Sequence, residues 1–220
     1  MNMKKLLFVL GVMVFVVASA SVAQAALYDW TGITPIYTDA QGEVVNPDWD
    51  VVDAYIANDG NYLYLRMDVA GVIATNTQYM FLIDANNSTA DGYTGYWENW
   101  QLGADYRILQ DQWGSVLQEH TGAQNSDTWV WPTPLTAESS VAGNTVEWKV
   151  ALADMSLSAG DTIKLVGTCY GDLSGWGYYD WPGLGTQDTP ITYAVPEPSS
   201  LLLLGSGFLG LMSFIRKKKK

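Results

Sequence analysis

The sequence predicts an all-β protein, an antiparallel β-sandwich of jelly-roll or immunoglobulin-like type, set between an N-terminal signal helix and a C-terminal transmembrane helix. Three observations predict it. Apolar and polar residues alternate with a period of two along residues 50–194, turns rich in Gly, Asn and Asp separate short runs, and only one short stretch reads as helical. In chain order, residues 51–57 form the first clear run, and Asn58-Asp59-Gly60-Asn61 reads as the turn of a tight hairpin. Its second arm sends Leu63, Leu65, Met67 and Val69 to one face and Tyr62, Tyr64, Arg66 and Asp68 to the other. Tyr79 to Ile83 is continuously apolar, as a central strand should be. Residues 104–110, 114–120 and 127–131 follow, then Val146, Trp148 and Val150 alternating with Thr145, Glu147 and Lys149. Leu152 to Met155 is the helical stretch, with Gly160-Asp161 turning behind it, and residues 162–170 and 190–194 complete the strands.

Composition limits what such a domain does. At 220 residues the chain holds about one domain once its ends are removed, and 48% hydrophobic content with 15% charge excludes a disordered chain. One cysteine excludes a disulfide scaffold, and no Cys/His spacing makes a zinc site. Cys169 alternates with Ile163, Leu165 and Gly167, so it reads as a buried thiol, and the lone His120 reads as a surface residue. Between Ala26 and Val195 only Arg66, Arg107, Lys149 and Lys164 are basic, against 22 acids, so this body carries −18. It repels nucleic acid and anionic lipid, and suits cations, neutral sugars or basic partners.

The ends are addresses. Lys4 and Lys5 precede an apolar run from Leu6 to Val17 and an Ala23-Gln24-Ala25 site, so residues 1–25 read as a signal peptide for the secretion translocase. Residues 26–194 are the domain, and 195–220 a second address. There Pro196-Glu197-Pro198 precedes an apolar span at 200–215 and the basic tail 216–220, a membrane intermediate with a cytoplasmic stop. This triplet, Gly-containing apolar helix and basic cluster together resemble the PEP-CTERM sorting signal. The resemblance implies recognition by an exosortase, a transpeptidase-like membrane enzyme that cuts near the triplet, in a bacterium that makes exopolysaccharide. The alternative is a permanent anchor.

A second resemblance covers most of residues 28–170. Asp29-Trp30-x-Gly32-Ile33-x-Pro35, the hairpin from Asp50 to Asp68, Tyr79 to Tyr93, Gly103-Ala104-Asp105-Tyr106 and Val146 to Leu152 are similar to secreted domains related to family-9 carbohydrate-binding modules. It implies a sandwich of the broad DOMON-like group, with sugar and calcium bound in some members. One feature departs: Leu27-Tyr28 stand where such domains usually carry Asp-Gly a few residues before the Asp-Trp pair.

Two residue sets carry candidate chemistry. Asp84, Asn86, Ser88 and Asp91, with Asp105 from the next strand, offer the hard oxygen donors that calcium takes, about six to eight at flexible geometry. The spacing is not that of an EF-hand, because Thr89 and Gly95 stand where that loop needs Gly and Glu. A turn held by Asp and Asn side chains with no ion explains the same residues. Trp97, Trp100, Trp176, Tyr179 and Trp181 lie in Gly- and Asn-containing segments and offer flat faces for a sugar, with core packing as the alternative. Trp30 and Trp148 read as core, as do Trp129 and Trp131 on one strand face. No nucleophile elbow or metalloprotease motif occurs, so no catalysis is expected. The whole reads as an exported envelope or matrix protein that binds exopolysaccharide. The alternative is a structural surface protein with protein contacts and no sugar ligand.

Overall fold

Period-two alternation becomes burial on two facing sheets. A computed structural model of the chain describes residues 25–42, 44, 46–94, 102–124, 126, 128–130, 137–171, 179–180 and 190–196. Its strands are β1 (Tyr37–Thr38), β2 (Val51–Asn58), β3 (Tyr62–Val69), β4 (Thr77–Asp84), β5 (Tyr106–Asp111) and β6 (Gly114–His120). They continue with β7 (Trp129–Val130), β8 (Glu138–Ala142), β9 (Thr145–Ala151), β10 (Thr162–Gly171), β11 (Tyr179–Asp180) and β12 (Ile191–Ala194). A 3-10 turn, Leu152–Met155, lies where the helical stretch is expected. One sheet has the order β1-β2-β3-β9-β8, and the other β11-β10-β4-β5-β6-β7 with β12 also paired to β10; every pairing is antiparallel.

The inner faces share one core. Leu63, Leu65, Met67, Val146, Trp148 and Val150 of the first sheet meet Tyr79, Phe81, Ile83, Ile108, Leu117 and Leu165 of the second, all of them buried. Phe81 sets its ring edge-on to Trp148 at 5.7 Å, a favoured aromatic geometry. Gly167 pairs with Phe81 in register, and a Cβ there would stand 3.1 Å from the Phe81 ring and 3.3 Å from the Met67 methyl. That glycine therefore makes room for the first sheet to close on the second. Cys169 is buried among the same residues, as its alternation predicts.

Antiparallel register gives the sandwich two poles. At the first lie the Asn58–Asn61 hairpin, the Asp84 loop, the end of β6 and the start of β10. Asp59 Oδ1 accepts the Asn61 and Tyr62 N–H groups at 3.0 and 2.9 Å, which locks the expected hairpin. At the opposite pole lie the β3–β4 connection and the β5–β6 and β8–β9 hairpins. The chain leaves the fold at the first pole. Val195 is buried, bonds through both backbone groups to Gly160 and Asp161, and is followed by exposed Pro196, whose carbonyl accepts Asn58 Nδ2 at 3.2 Å.

Several expectations shift. Strand β8, Glu-Ser-Ser-Val-Ala, has no apolar alternation to announce it, because it is an edge strand that buries chiefly Ser140. Trp30 is not core: it lies half-buried outside the first sheet, 5.9 Å from the Tyr55 ring and 5.1 Å from Tyr28. Trp129 also misses the main core and packs on the outer face of the second sheet, with Met80, Leu82, Leu109 and Val166. The signal segment, the 200–215 span and Trp131 lie outside the described residues. Among the described residues no helix is long and apolar enough to cross a membrane.

Candidate functional site

The outer face of the second sheet, at the pole where the chain leaves, carries a row of polar and titratable residues. Register carries one row across it: Lys164 pairs with Asp84, the Asp105 N–H donates to the Ile83 carbonyl, the His120 N–H donates to the Asp105 carbonyl, and His120 pairs with Trp129. Lys164, Asp84, Asp105, His120 and Trp129 therefore occupy neighbouring strands at one level of the sheet. Strand pairing, not sequence proximity, brings them together.

The loop after β4 rises from this row. Asp105 Oδ2 accepts the Ala85 and Asn86 N–H groups at 2.9 and 3.2 Å, while its Oδ1 accepts Asn86 Nδ2 at 3.1 Å. Asn86 Nδ2 also lies 3.4 Å from Asp91 Oδ2, and the Ser88 N–H donates to Asn86 Oδ1 at 2.7 Å and Asp84 Oδ1 at 3.2 Å. Asn87 takes a positive φ of 58° and donates its side-chain amide to the Thr162 carbonyl, tying the loop to β10. Gly103 passes so close to the Ser88 and Asp91 carbonyls that no Cβ fits there. Hydrogen bonds thus link Asn86 to Asp91 and Asp105 and the Ser88 backbone to Asn86 and Asp84.

Electrostatics strains this arrangement. Asp84 is wholly buried, and its Oδ2 has no hydrogen-bond partner. Burial raises its pKa above the ordinary carboxylate value, partly offset by the backbone N–H groups of Asn87 and Gly103 and by Lys164. Burial likewise raises Asp105, the Ala85 N–H opposes it, and the neighbouring Asp84 and Asp91 charges raise it further. A cation would relieve both. Among the described residues, however, no group of three or more His, Cys, Asp or Glu side chains converges to hold a metal ion. Calcium here would draw on amide and backbone-carbonyl oxygens beside the carboxylates, a mixed donor set it accepts.

Beside the loop stands an aromatic group that sequence reading does not assemble. Tyr93 and Trp129 rings meet edge-on at 5.4 Å, and His120 lies 5.2 Å from Trp129 and 6.1 Å from Tyr93. The Arg107 guanidinium sits 4.6 Å from the Trp129 ring centroid and donates from Nε to Gln118 Oε1 at 2.6 Å. His120 is half-buried, not free on the surface, with Nε2 2.8 Å from the Ser126 carbonyl. The available signal was Arg107 inside an apolar run, with Gln118 one strand and Trp129 two strands further along the chain.

Of the residues expected to hold sugar, Trp97, Trp100, Trp176 and Trp181 lie outside the described residues. The Tyr179 backbone belongs to β11, paired with Tyr170 near the far pole. Pro196 is described, while Glu197 and Pro198 are not. No curated protein matches the chain. Residues 194–218 match the PEP-CTERM protein-sorting motif, which marks an exported protein sorted by an exosortase through a membrane-anchored intermediate.

Proposed function

We propose that the chain is a non-catalytic protein of the cell envelope or extracellular matrix, delivered by its sorting tail, whose sandwich binds a neutral glycan. The observation that carries this reading is the sorting motif, which begins at residue 194, inside the last strand of a two-sheet domain, so that domain and tail are joined without a linker. Glycan as the ligand is supported by a body with four basic residues against 22 acids, which disfavours anionic partners, and by the aromatic segments around Trp97, Trp100, Trp176, Tyr179 and Trp181. Calcium at Asp84, Asn86, Ser88, Asp91 and Asp105 would shape the adjacent loop in this reading, supported by the unpartnered Asp84 oxygen.

Affinity electrophoresis of the whole chain in detergent, through gels cast with neutral and anionic polysaccharides, tests the reading. Retardation by a neutral gel, weakened by Trp97→Ala or Trp181→Ala, is the expected result. Unchanged migration in every gel would instead leave a structural surface protein that makes protein contacts.

A further inference from the structure

The pole opposite the sorting tail carries a residue that the fold displays rather than buries. Asp111 and Gly114 pair in register across a two-residue turn, so Gln112 and Trp113 form the tip of the β5–β6 hairpin. Trp113 is 83% exposed, the most exposed large hydrophobic side chain among the described residues. Its backbone is nevertheless fixed. The Trp113 N–H donates to Asp111 Oδ1 at 2.7 Å, Gly114 supplies the φ of 111° the turn needs, and Gln110 bonds to the Asp111 carbonyl and Ser115 hydroxyl at 2.8 Å each. A ring held out on a locked hairpin loses little conformational freedom when it binds.

Other groups at the same pole narrow the partner. Val72 and Val141, 58% and 36% exposed, sit on the β3–β4 connection and the end of β8 at the same pole. The two segments are joined there by the Ile73 N–H bond to the Gly143 carbonyl at 2.9 Å. The charged group of the Trp113 hairpin is Asp111, and Asp48, from the turn before β2, accepts the Val72 N–H at 2.9 Å. None of the four basic residues of the body lies in the β3–β4, β5–β6 or β8–β9 connections. Anionic polysaccharide, nucleic acid and acidic lipid are repelled from such a surface, whereas an uncharged sugar can lay its C–H face on the indole and donate hydroxyls to the carboxylates.

We infer that the Trp113 hairpin is a contact site for an uncharged polysaccharide, placed at the pole farthest from the sorting tail so that the protein meets matrix while its tail faces the membrane. This rests on the glycan reading above and adds to it a site that the other aromatic segments do not include.

The test compares wild type, Trp113→Ala and Trp113→Tyr as whole chains in detergent. Gels contain hydroxyethylcellulose, dextran, galactomannan or anionic alginate, and thermal unfolding is followed in parallel. The expected result is retardation by at least one neutral gel, about tenfold weaker for Trp113→Ala, the order one ring contact is worth, and partly kept by Trp113→Tyr. Equal retardation of wild type and Trp113→Ala overturns the hairpin site but leaves the glycan reading standing. Migration unchanged in all gels overturns both. Retardation by alginate alone, or a Trp113-dependent blue shift of fluorescence with phosphatidylcholine vesicles and none with glycan, overturns the uncharged-sugar partner. An exposed tip predicts unfolding temperatures that match across the three proteins, so a folding defect does not mimic lost binding.

Discussion

Trp148 and Asp84 are both buried, and the fold uses them in opposite ways. Trp148 fills the space between the sheets against Phe81, and its Nε1 has no hydrogen-bond partner. Trp148→Ala removes the contact and leaves a cavity, so we predict a loss of about 3–5 kcal/mol in urea unfolding. Trp148→Phe keeps the ring contact and removes an unpaired donor, so it is predicted to cost clearly less than the alanine change. Asp84 instead carries a charge that burial resists. A carboxyl whose pKa is raised by folding binds protons more tightly in the native state, and its contribution is fully present below the unfolded value. That contribution is lost as pH rises through the raised value. Wild type in chelator is therefore predicted to lose stability from about pH 4 upward, on account of Asp84 and Asp105 together. Asp84→Asn keeps an oxygen for the Ser88 N–H and removes the charge. Thermal unfolding followed across that range shows the outcome: the variant flattens the slope and unfolds higher than wild type at neutral pH.

At the scale of elements, β12 and the Asn58 hairpin form the junction between domain and tail. Tyr193 donates its hydroxyl to Asn58 Oδ1 at 2.8 Å, while Asn58 Nδ2 donates to the Pro196 carbonyl. Burial, with the nearby Tyr28 hydroxyl, pushes the Tyr193 pKa up to about 12, so the hydroxyl remains a donor at neutral pH. Asn58→Ala removes both bonds and is predicted to cost about 1–3 kcal/mol. Limited proteolysis followed by mass spectrometry checks it, with cuts appearing first within residues 190–196. This junction also shows what sequence could tell. The alternation of β3, β9 and β10 and the Asn58-Asp59-Gly60-Asn61 turn were readable because each is written in local residue types. So was the Asp84 loop, whose donors lie within eight positions. The row from Lys164 to Trp129 was not, because it exists only through pairing of strands far apart in the chain. The Ser-rich edge β8 and the outward turn of Trp30 escaped for a related reason. An edge and an outer face have no apolar signature, and an aromatic residue in a mixed segment fits either side of a sheet.

For the whole molecule the main electrostatic fact is a body of −18 built around the core between the two sheets. Arg66 pairs with Asp68 at 2.7 Å and Lys149 with Glu138 at 3.1 Å, the Glu138 carboxylate being exposed. Four basic residues against 22 acids leave most of the acids to repel one another, and that repulsion falls as salt shortens the screening length from about 30 Å at 0.01 M to about 8 Å at 0.15 M. Sodium chloride over that range is therefore predicted to raise the unfolding temperature of the chain, with most of the gain at the low end. A bound calcium ion would act differently, by satisfying the Asp84 oxygen and separating the Asp84, Asp91 and Asp105 charges. Its effect should persist at 0.15 M salt, saturate at millimolar calcium, exceed that of magnesium at equal ionic strength, and vanish in Asp84→Asn. If calcium and magnesium raise the unfolding temperature equally and Asp84→Asn responds as wild type does, the stabilisation belongs to the summed charge. The loop is then a turn held by its own Asp and Asn side chains.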